Sequence, residues 1–212
     1  RELSRYRKSL VGERAREINR LQKMLEGGNI KLTSVVSEVT GYSSRRLLDR
    51  LLRSDEPMTE EVISELVHTS LVGKSKELEI ALDGLLSELQ KGLLIKVLDH
   101  IDDMNKRIAD LDDFCRKQMK KYEDALDKLD EIPGIARRTA ETILIETGLD
   151  MSRFPTAKHF ARWAGLAPGN NESAGKRSSG RTTKGNPTLK STLIQSAKVA
   201  ARKKDSFFKA RY

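Results

Sequence analysis

Apolar residues in the first 130 positions recur at spacings of three and four, the period of a helix buried along one stripe. Leu3, Tyr6, Leu10, Arg14, Glu17, Leu21 and Leu25, with Ile18 beside them, predict one helix over residues 1–25. Gly27-Gly28 supplies its stop. Residues 32–53 predict two short helices broken at Gly41. The stretch from Val35 to Leu48 has the spacing of a helix-turn-helix with glycine in the turn. It also has the spacing of a plain helical hairpin, the blander reading, which a lone glycine signal favours. An acidic helix is expected over 58–72, entered through Glu56-Pro57.

Residues 74–130 carry the most regular pattern. From Val97 the series Ile101, Met104, Ile108, Leu111, Cys115, Gln118, Tyr122, Ala125, Leu129 advances by alternate fours and threes. That is a heptad repeat. Upstream, Leu78, Leu82, Leu85, Leu86, Leu89, Leu93 and Leu94 continue the apolar stripe, with Gly84 and Gly92 as weak spots. One helix of this length reaches about 80 Å and cannot bury its stripe alone. It is expected to pair with the N-terminal helix, with a second copy, or with both. Cys115 falls on the seam and reads as a small core residue. Asp102-Asp103 and Asp112-Asp113 fall outside the seam and read as a solvated face, not a metal site.

The heptads end at Asp130-Glu131-Ile132-Pro133-Gly134-Ile135-Ala136, where a Pro-Gly turn precedes a second helix. This resembles a helix–hairpin–helix. Such a hairpin offers backbone N–H groups of Gly134 and its neighbours to a DNA phosphate, and Arg137 and Arg138 add charge. An ordinary helical corner fits the same residues. A short helix follows over 156–166, capped by Thr156, with Phe160, Trp163 and Ala164 on one face. Residues 168–187 form a long polar stretch, of the kind that is either disordered or functional. A last helix over 188–204 carries Leu189, Leu193, Ile194, Ala197, Ala200 and Ala201 on one side. The fold class is therefore all-α: a long coiled-coil arm, residues 1–130, then a compact helical domain with a helix–hairpin–helix, residues 131–212.

Composition agrees and adds a partner. Charged residues make up 33% of the 212 and aromatics 5%, which argues for long helices and against a β-sandwich or barrel. No run of 18 apolar residues is present, so no membrane span and no membrane partner is expected. A single cysteine, Cys115, makes no internal disulfide and points to a reducing compartment. The opening Arg1-Glu2-Leu3-Ser4-Arg5 reads as the interior of a longer protein. The net charge of +9 is unevenly placed. Residues 153–212 hold 14 Lys and Arg against 2 Asp and Glu, and residues 1–152 hold 26 against 29. A block this basic, punctuated by glycine and poor in bulky apolar residues, faces nucleic acid rather than a membrane surface.

Within the polar stretch, Lys176, Arg177, Arg181 and Lys184 can neutralise phosphates, and the glycines let the backbone approach them. A serine among such cations can attack a phosphodiester. Ser173, Ser178 and Ser179 are the candidates, and spacing alone hardly ranks them. The stretch Gly180-Arg181-Thr182-Thr183-Lys184-Gly185 lacks the spacing of a Walker loop. His68, His100 and His159 show no ligand spacing.

The residues from Ile132 to Ala136, Phe154 to Phe160, Trp163 to Arg177 and Gly180 to Asn186 resemble the C-terminal domain of a bacterial transposase family. It is the "insertion sequence one-ten" family of DNA recombinases guided by a bridge RNA. Arg5-Tyr6-Arg7-Lys8-Ser9-Leu10-Val11 with Arg14 resembles the start of that family's connecting helix. The resemblance implies a coiled coil that dimerises, or builds a higher homo-oligomer, and an N-terminal acidic domain, absent here, that binds a divalent metal such as magnesium. It implies that Ser173 forms a covalent bond to DNA during strand exchange. Ala174 stands where the family often has glycine. On this reading the chain is a piece of an enzyme that cleaves and transfers DNA strands. It is inactive alone, holds no metal or cofactor of its own, and works with a guide RNA in the bacterial cytoplasm at the nucleoid. Gly134, Arg137, Arg138, Lys176, Arg177, Arg181, Lys184 and Asn186 are its expected nucleic-acid contacts. The alternative is a non-catalytic module that binds nucleic acid and dimerises.

Overall fold

The computed structural model describes residues 1–169, 172–177, 179–204 and 206–211, and only the backbone of Thr69, Glu172, Ser173, Arg177 and Arg211. The chain divides into two compact units, Arg5–Asp112 and Asp113–Tyr212, the second including Arg1–Ser4.

The first unit opens with α1 (Glu2–Gly27). Past Gly28, Asn29 takes a left-handed φ of +62° and ends the helix. A 3-10 turn (Leu32–Ser34) leads to α2 (Tyr42–Arg53), α3 (Glu60–Leu66), a second 3-10 turn (Thr69–Lys74), α4 (Ser75–Leu82) and α5 (Glu88–Met119). α1 and α5 run antiparallel. The Arg7 guanidinium pairs with the Asp112 carboxylate, and Arg14 Nη1 donates to Asn105 Oδ1 at 2.8 Å. The two bridges lie one heptad apart on both helices. Between α1 and α5 the seam residues Val97, Ile101, Met104 and Ile108 are buried, with Leu10, Leu21 and Leu25.

This narrows the role of the seam. Its pattern suits α1, a second copy or both; over 97–108 its positions are already covered within one chain. The single helix expected over 74–130 is interrupted. At 83–87 the chain crosses the loop after α1, where Leu85 N–H donates to Gly28 O at 2.9 Å. A Cβ on Gly84 would collide with that same carbonyl. Gly84 is therefore a crossing point, not a soft spot in a helix. Leu85, Leu89 and Leu93 leave the buried stripe as a result.

Two further expectations change. Residues 35–41 are irregular, so 32–53 forms neither a helix-turn-helix nor a helical hairpin. Val36 and Val39 reach the core without a helix, and Ser44 Oγ donates to Glu38 O at 2.7 Å, pinning the turn to α2. The helix expected over 58–72 is α3 plus a 3-10 turn, because Val67 is extended and buried between them.

In the second unit, the end of α5 passes through a 3-10 turn (Lys120–Tyr122) into α6 (Glu123–Asp130). Next come α7 (Arg137–Thr147), α8 (Ala157–Trp163), a hairpin of two-residue strands β1 (Glu172–Ser173) and β2 (Lys176–Arg177), α9 (Pro187–Arg202) and α10 (Phe207–Arg211). The heptad phase slips here. The buried positions after Cys115 are Met119 and Leu126, packed on Ala140 and Leu144 of α7, while Gln118 is exposed. The partner changes from α1 to α7, and the tight 3-10 turn re-aims the stripe. Between α6 and α7, Ile135 N–H donates to Ile132 O at 2.9 Å, and Gly134 has φ +86°, a Pro-Gly turn of type II. Ile143, Ala164 and Leu189 form a second small core with Phe160 and Trp163. The architecture is all-α apart from the short hairpin. Among the described residues no helix is long and apolar enough to cross a membrane.

The seam sets a stability prediction. Ile101→Ala, a fully buried seam position, should cost about 2–5 kcal/mol in urea unfolding. Gln118→Ala, on the seam only by sequence, should change it by less than about 0.5 kcal/mol.

Candidate functional site

The described parts of the polar stretch after α8 pair as a two-stranded ribbon. At its base, Gly169 N–H donates to Arg181 O at 2.8 Å and Thr183 N–H to Ala167 O at 2.9 Å, with Pro168 bridging Thr182. At its tip, β1 and β2 set Glu172 opposite Arg177 and Ser173 opposite Lys176. Ala174 and Gly175 form the turn, with φ of +49° and +75°. Two successive left-handed residues make a type I′ turn, whose twist suits a tight hairpin.

The root of the ribbon is built from glycine and one asparagine. A Cβ on Gly185 would collide with the backbone of Gly165 and with Trp163 O, so the strand leaving the ribbon lies directly on the turn after α8. Gly165 itself has φ +77°. The next residue, Asn186, uses its backbone N–H and both ends of its side-chain amide. Its N–H donates to Trp163 O at 3.2 Å, and its Oδ1 accepts from Thr188 N–H and Leu189 N–H, both at 3.1 Å, capping α9. Its Nδ2 donates to Glu146 Oε2 at 2.6 Å. Glu146 lies on α7 and is fully buried. The Arg1 guanidinium donates to the Ile145 and Glu146 carbonyls at 3.2 and 2.7 Å. α7, α8, the ribbon and α9 are thereby tied to one another.

The expected contact residues divide into two groups. Gly134 is covered: a Cβ there would collide with Ser196 O, because α9 crosses the hairpin at that point. Arg137 is committed to acids, with Nη1 and Nη2 donating to the Glu123 carboxylate at 2.6 and 2.8 Å and Nε to Glu141 at 3.4 Å. The same pairing holds the Glu123 carboxyl below its usual range and raises Arg137, Glu123 being the main cause of that rise. Arg138 also approaches Glu141, at 3.9 Å. Asn186 is spent on the clamp. Lys176, Arg181 and Lys184 differ: they are exposed or half-exposed, and among the described residues no carboxylate pairs with them. Arg177 and Ser173 are placed by their backbone on β2 and β1, and their side chains lie outside the described residues. Ser178 lies wholly outside them. Ser179 Oγ accepts from Arg181 N–H at 3.1 Å and so serves the ribbon's own backbone.

Sequence reasoning missed Glu146. Its signal was a lone acid directly after the apolar run Ile143-Leu144-Ile145, a place where burial demands a partner. Among the described residues no three His, Cys, Asp or Glu side chains converge, so they offer no seat for the divalent metal that the resemblance implies.

Residues 126–212 match the family model described as "Transposase IS116/IS110/IS902 family". This segment is similar to the transposase domain of that family. The match begins within α6 and takes in the clamp, the ribbon and α9. A curated protein, the "Nuclear pore complex protein 5" of Caenorhabditis elegans, is 32% identical over 106 residues, 48% of this chain. The chain spans 12% of the length of that relative. No solved structure matches the chain.

Two expectations follow from the geometry of this segment. Ala174→Gly should stabilise the ribbon by about 1 kcal/mol, since an L-residue in the left-handed region costs about 1–2 kcal/mol and glycine does not. Slower amide exchange at Gly169 and Thr183 would register it. Asn186→Asp, facing Glu146, should lower the melting temperature. The paired change Glu146→Gln with Asn186→Asp lets amide and carboxylate trade places and should recover most of the loss.

Proposed function

We propose that the ribbon is the DNA strand-transfer element of a transposase, and that Ser173 is its nucleophile. The observation that supports this most is the contrast among the cations. Arg137 and Arg138 are paired with carboxylates, whereas Lys176, Arg181 and Lys184 stand on the ribbon with no carboxylate pairing among the described residues. Unpaired cations on a glycine-rooted ribbon suit phosphate oxygens. The register sets Ser173 opposite Lys176, directly beside the turn. On this reading the Ser173 Oγ–phosphorus bond forms as a phosphorus–deoxyribose oxygen bond breaks, and the ribbon cations stabilise the charge that develops on the phosphoryl oxygens. The freed deoxyribose oxygen takes up a proton, and the serine hydroxyl gives one up. The steps assigned to this chain use no metal of its own. The acidic metal-binding domain and the guide RNA belong to the same proposal, as parts of the full-length enzyme acting on bacterial DNA.

The test uses the full-length transposase. Ser173→Ala should abolish strand exchange and leave DNA binding within a few fold, since one hydroxyl hydrogen bond is worth about 0.5–1.5 kcal/mol. Replacing Lys176, Arg181 and Lys184 together by Gln should weaken DNA binding for all sequences. It should also flatten the slope of log affinity against log salt by about 0.9 for each phosphate that is no longer neutralised. Strand exchange that survives Ser173→Ala but fails in Ser178→Ala would move the nucleophile. An unchanged salt slope would remove the ribbon from the interface.

A further inference from the structure

The first unit carries an open groove of about 640 Å³ between the end of α2, the start of α3 and the segment joining α4 to α5. Its lining includes the apolar Leu51, Met58, Ile80, Leu82, Leu85 and Leu86 beside polar and charged side chains. Large apolar side chains here face solvent to an unusual degree. Leu85 is 90% exposed and Ile80 77%, and Leu89, in the first turn of α5, is 84% exposed. Elsewhere in this unit leucines of the same stripe, such as Leu78, Leu82 and Leu94, are fully buried. Leucines left in water in a chain able to bury its others mark a contact surface.

The rim states the charge of what is bound. Asp55, Glu56, Glu79 and Asp83 line the groove with Lys91; Asp55 is paired with Lys91 and Glu56 with Arg50, which leaves Glu79 and Asp83 as its unpaired charges among the described residues. Lys91 is already held by Asp55 at 2.9 Å and by Glu88 at 3.0 Å. DNA, RNA and anionic lipid are repelled by such a rim. A second copy docking about a two-fold axis would set acid against acid. What remains complementary is a helix with an apolar stripe to fill the groove and lysines or arginines flanking it. We infer that this groove docks a basic amphipathic helix of a partner protein. The inference rests on the first unit alone and is independent of the role of Ser173.

The probe is a fluorescein-labelled helical peptide of about 20 residues, long enough to hold a helix, with leucine at i, i+3, i+4 and i+7 and lysine elsewhere. A second peptide keeps the leucines and replaces every lysine by glutamate. The whole chain should bind the leucine–lysine peptide and bind the leucine–glutamate peptide at least tenfold more weakly. Leu85→Asp with Leu89→Asp should weaken binding of the leucine–lysine peptide at least tenfold. Both positions are solvent-exposed, so the variant should keep the wild-type circular dichroism and melting temperature. Glu79→Lys with Asp83→Lys provides a second variant that leaves the apolar part of the lining intact, and it should also fail to bind the leucine–lysine peptide. Equal binding of the two peptides, or unchanged affinity in both variants, would overturn the proposal. Sedimentation that shows a wild-type dimer dissolved by Leu85→Asp would overturn it too, by giving the face to a second copy.

Discussion

Where Gly185 crosses Gly165, no side chain fits between the two backbones. That crossing sets where the ribbon starts and ends, because the chain leaves α8 through one glycine and re-enters α9 beside the other. Asn186 then falls one residue past the crossing. There it caps α9 with its oxygen and reaches Glu146 with its nitrogen. A buried carboxylate is costly unless it is hydrogen-bonded, so Glu146 and Asn186 hold each other in place. The ribbon can therefore be polar, short of apolar contacts and still directed, since its root is fixed by backbone and hydrogen bonds rather than by a core.

The electrostatics divide along the same line. The cations at the Pro-Gly hairpin are neutralised by Glu123 and Glu141, and they brace α6 against α7. Those on the described part of the ribbon stand without carboxylate partners. The fold thus divides the cations of the second unit into those paired with carboxylates at the Pro-Gly hairpin and those that stand without carboxylate partners among the described residues. In the first unit the reverse holds. The groove there mixes exposed apolar side chains with acids, of which Asp55 is paired with Lys91 and Glu56 with Arg50.

Much was legible in the sequence. Periodicity marked α1, the buried part of α5 and α9, and cap chemistry marked the start of α8, whereas the Asn186 cap of α9 emerged only in the structure. The glycine density marked the polar segment as a candidate phosphate-binding loop but not its strand pairing, and the motifs between Ile132 and Asn186 carried the resemblance to the transposase family. The register of the ribbon was out of reach, since it depends on Ala174 taking a left-handed conformation that alanine rarely adopts.

The sequence by itself determined the helical class, the basic C-terminal block and the residues available for chemistry, because period, charge and residue type are local properties. Only the tertiary structure decided what each residue meets. The heptad of α5 looked the same whether its partner was α1 or a second copy, and Arg137 looked as free as Arg181. Gly84 read as a weak point in a helix until Gly28 was found against it. A partner brought from 50 or 100 residues away leaves no trace in a local pattern, and burial, pairing and close backbone approach are all made by such partners.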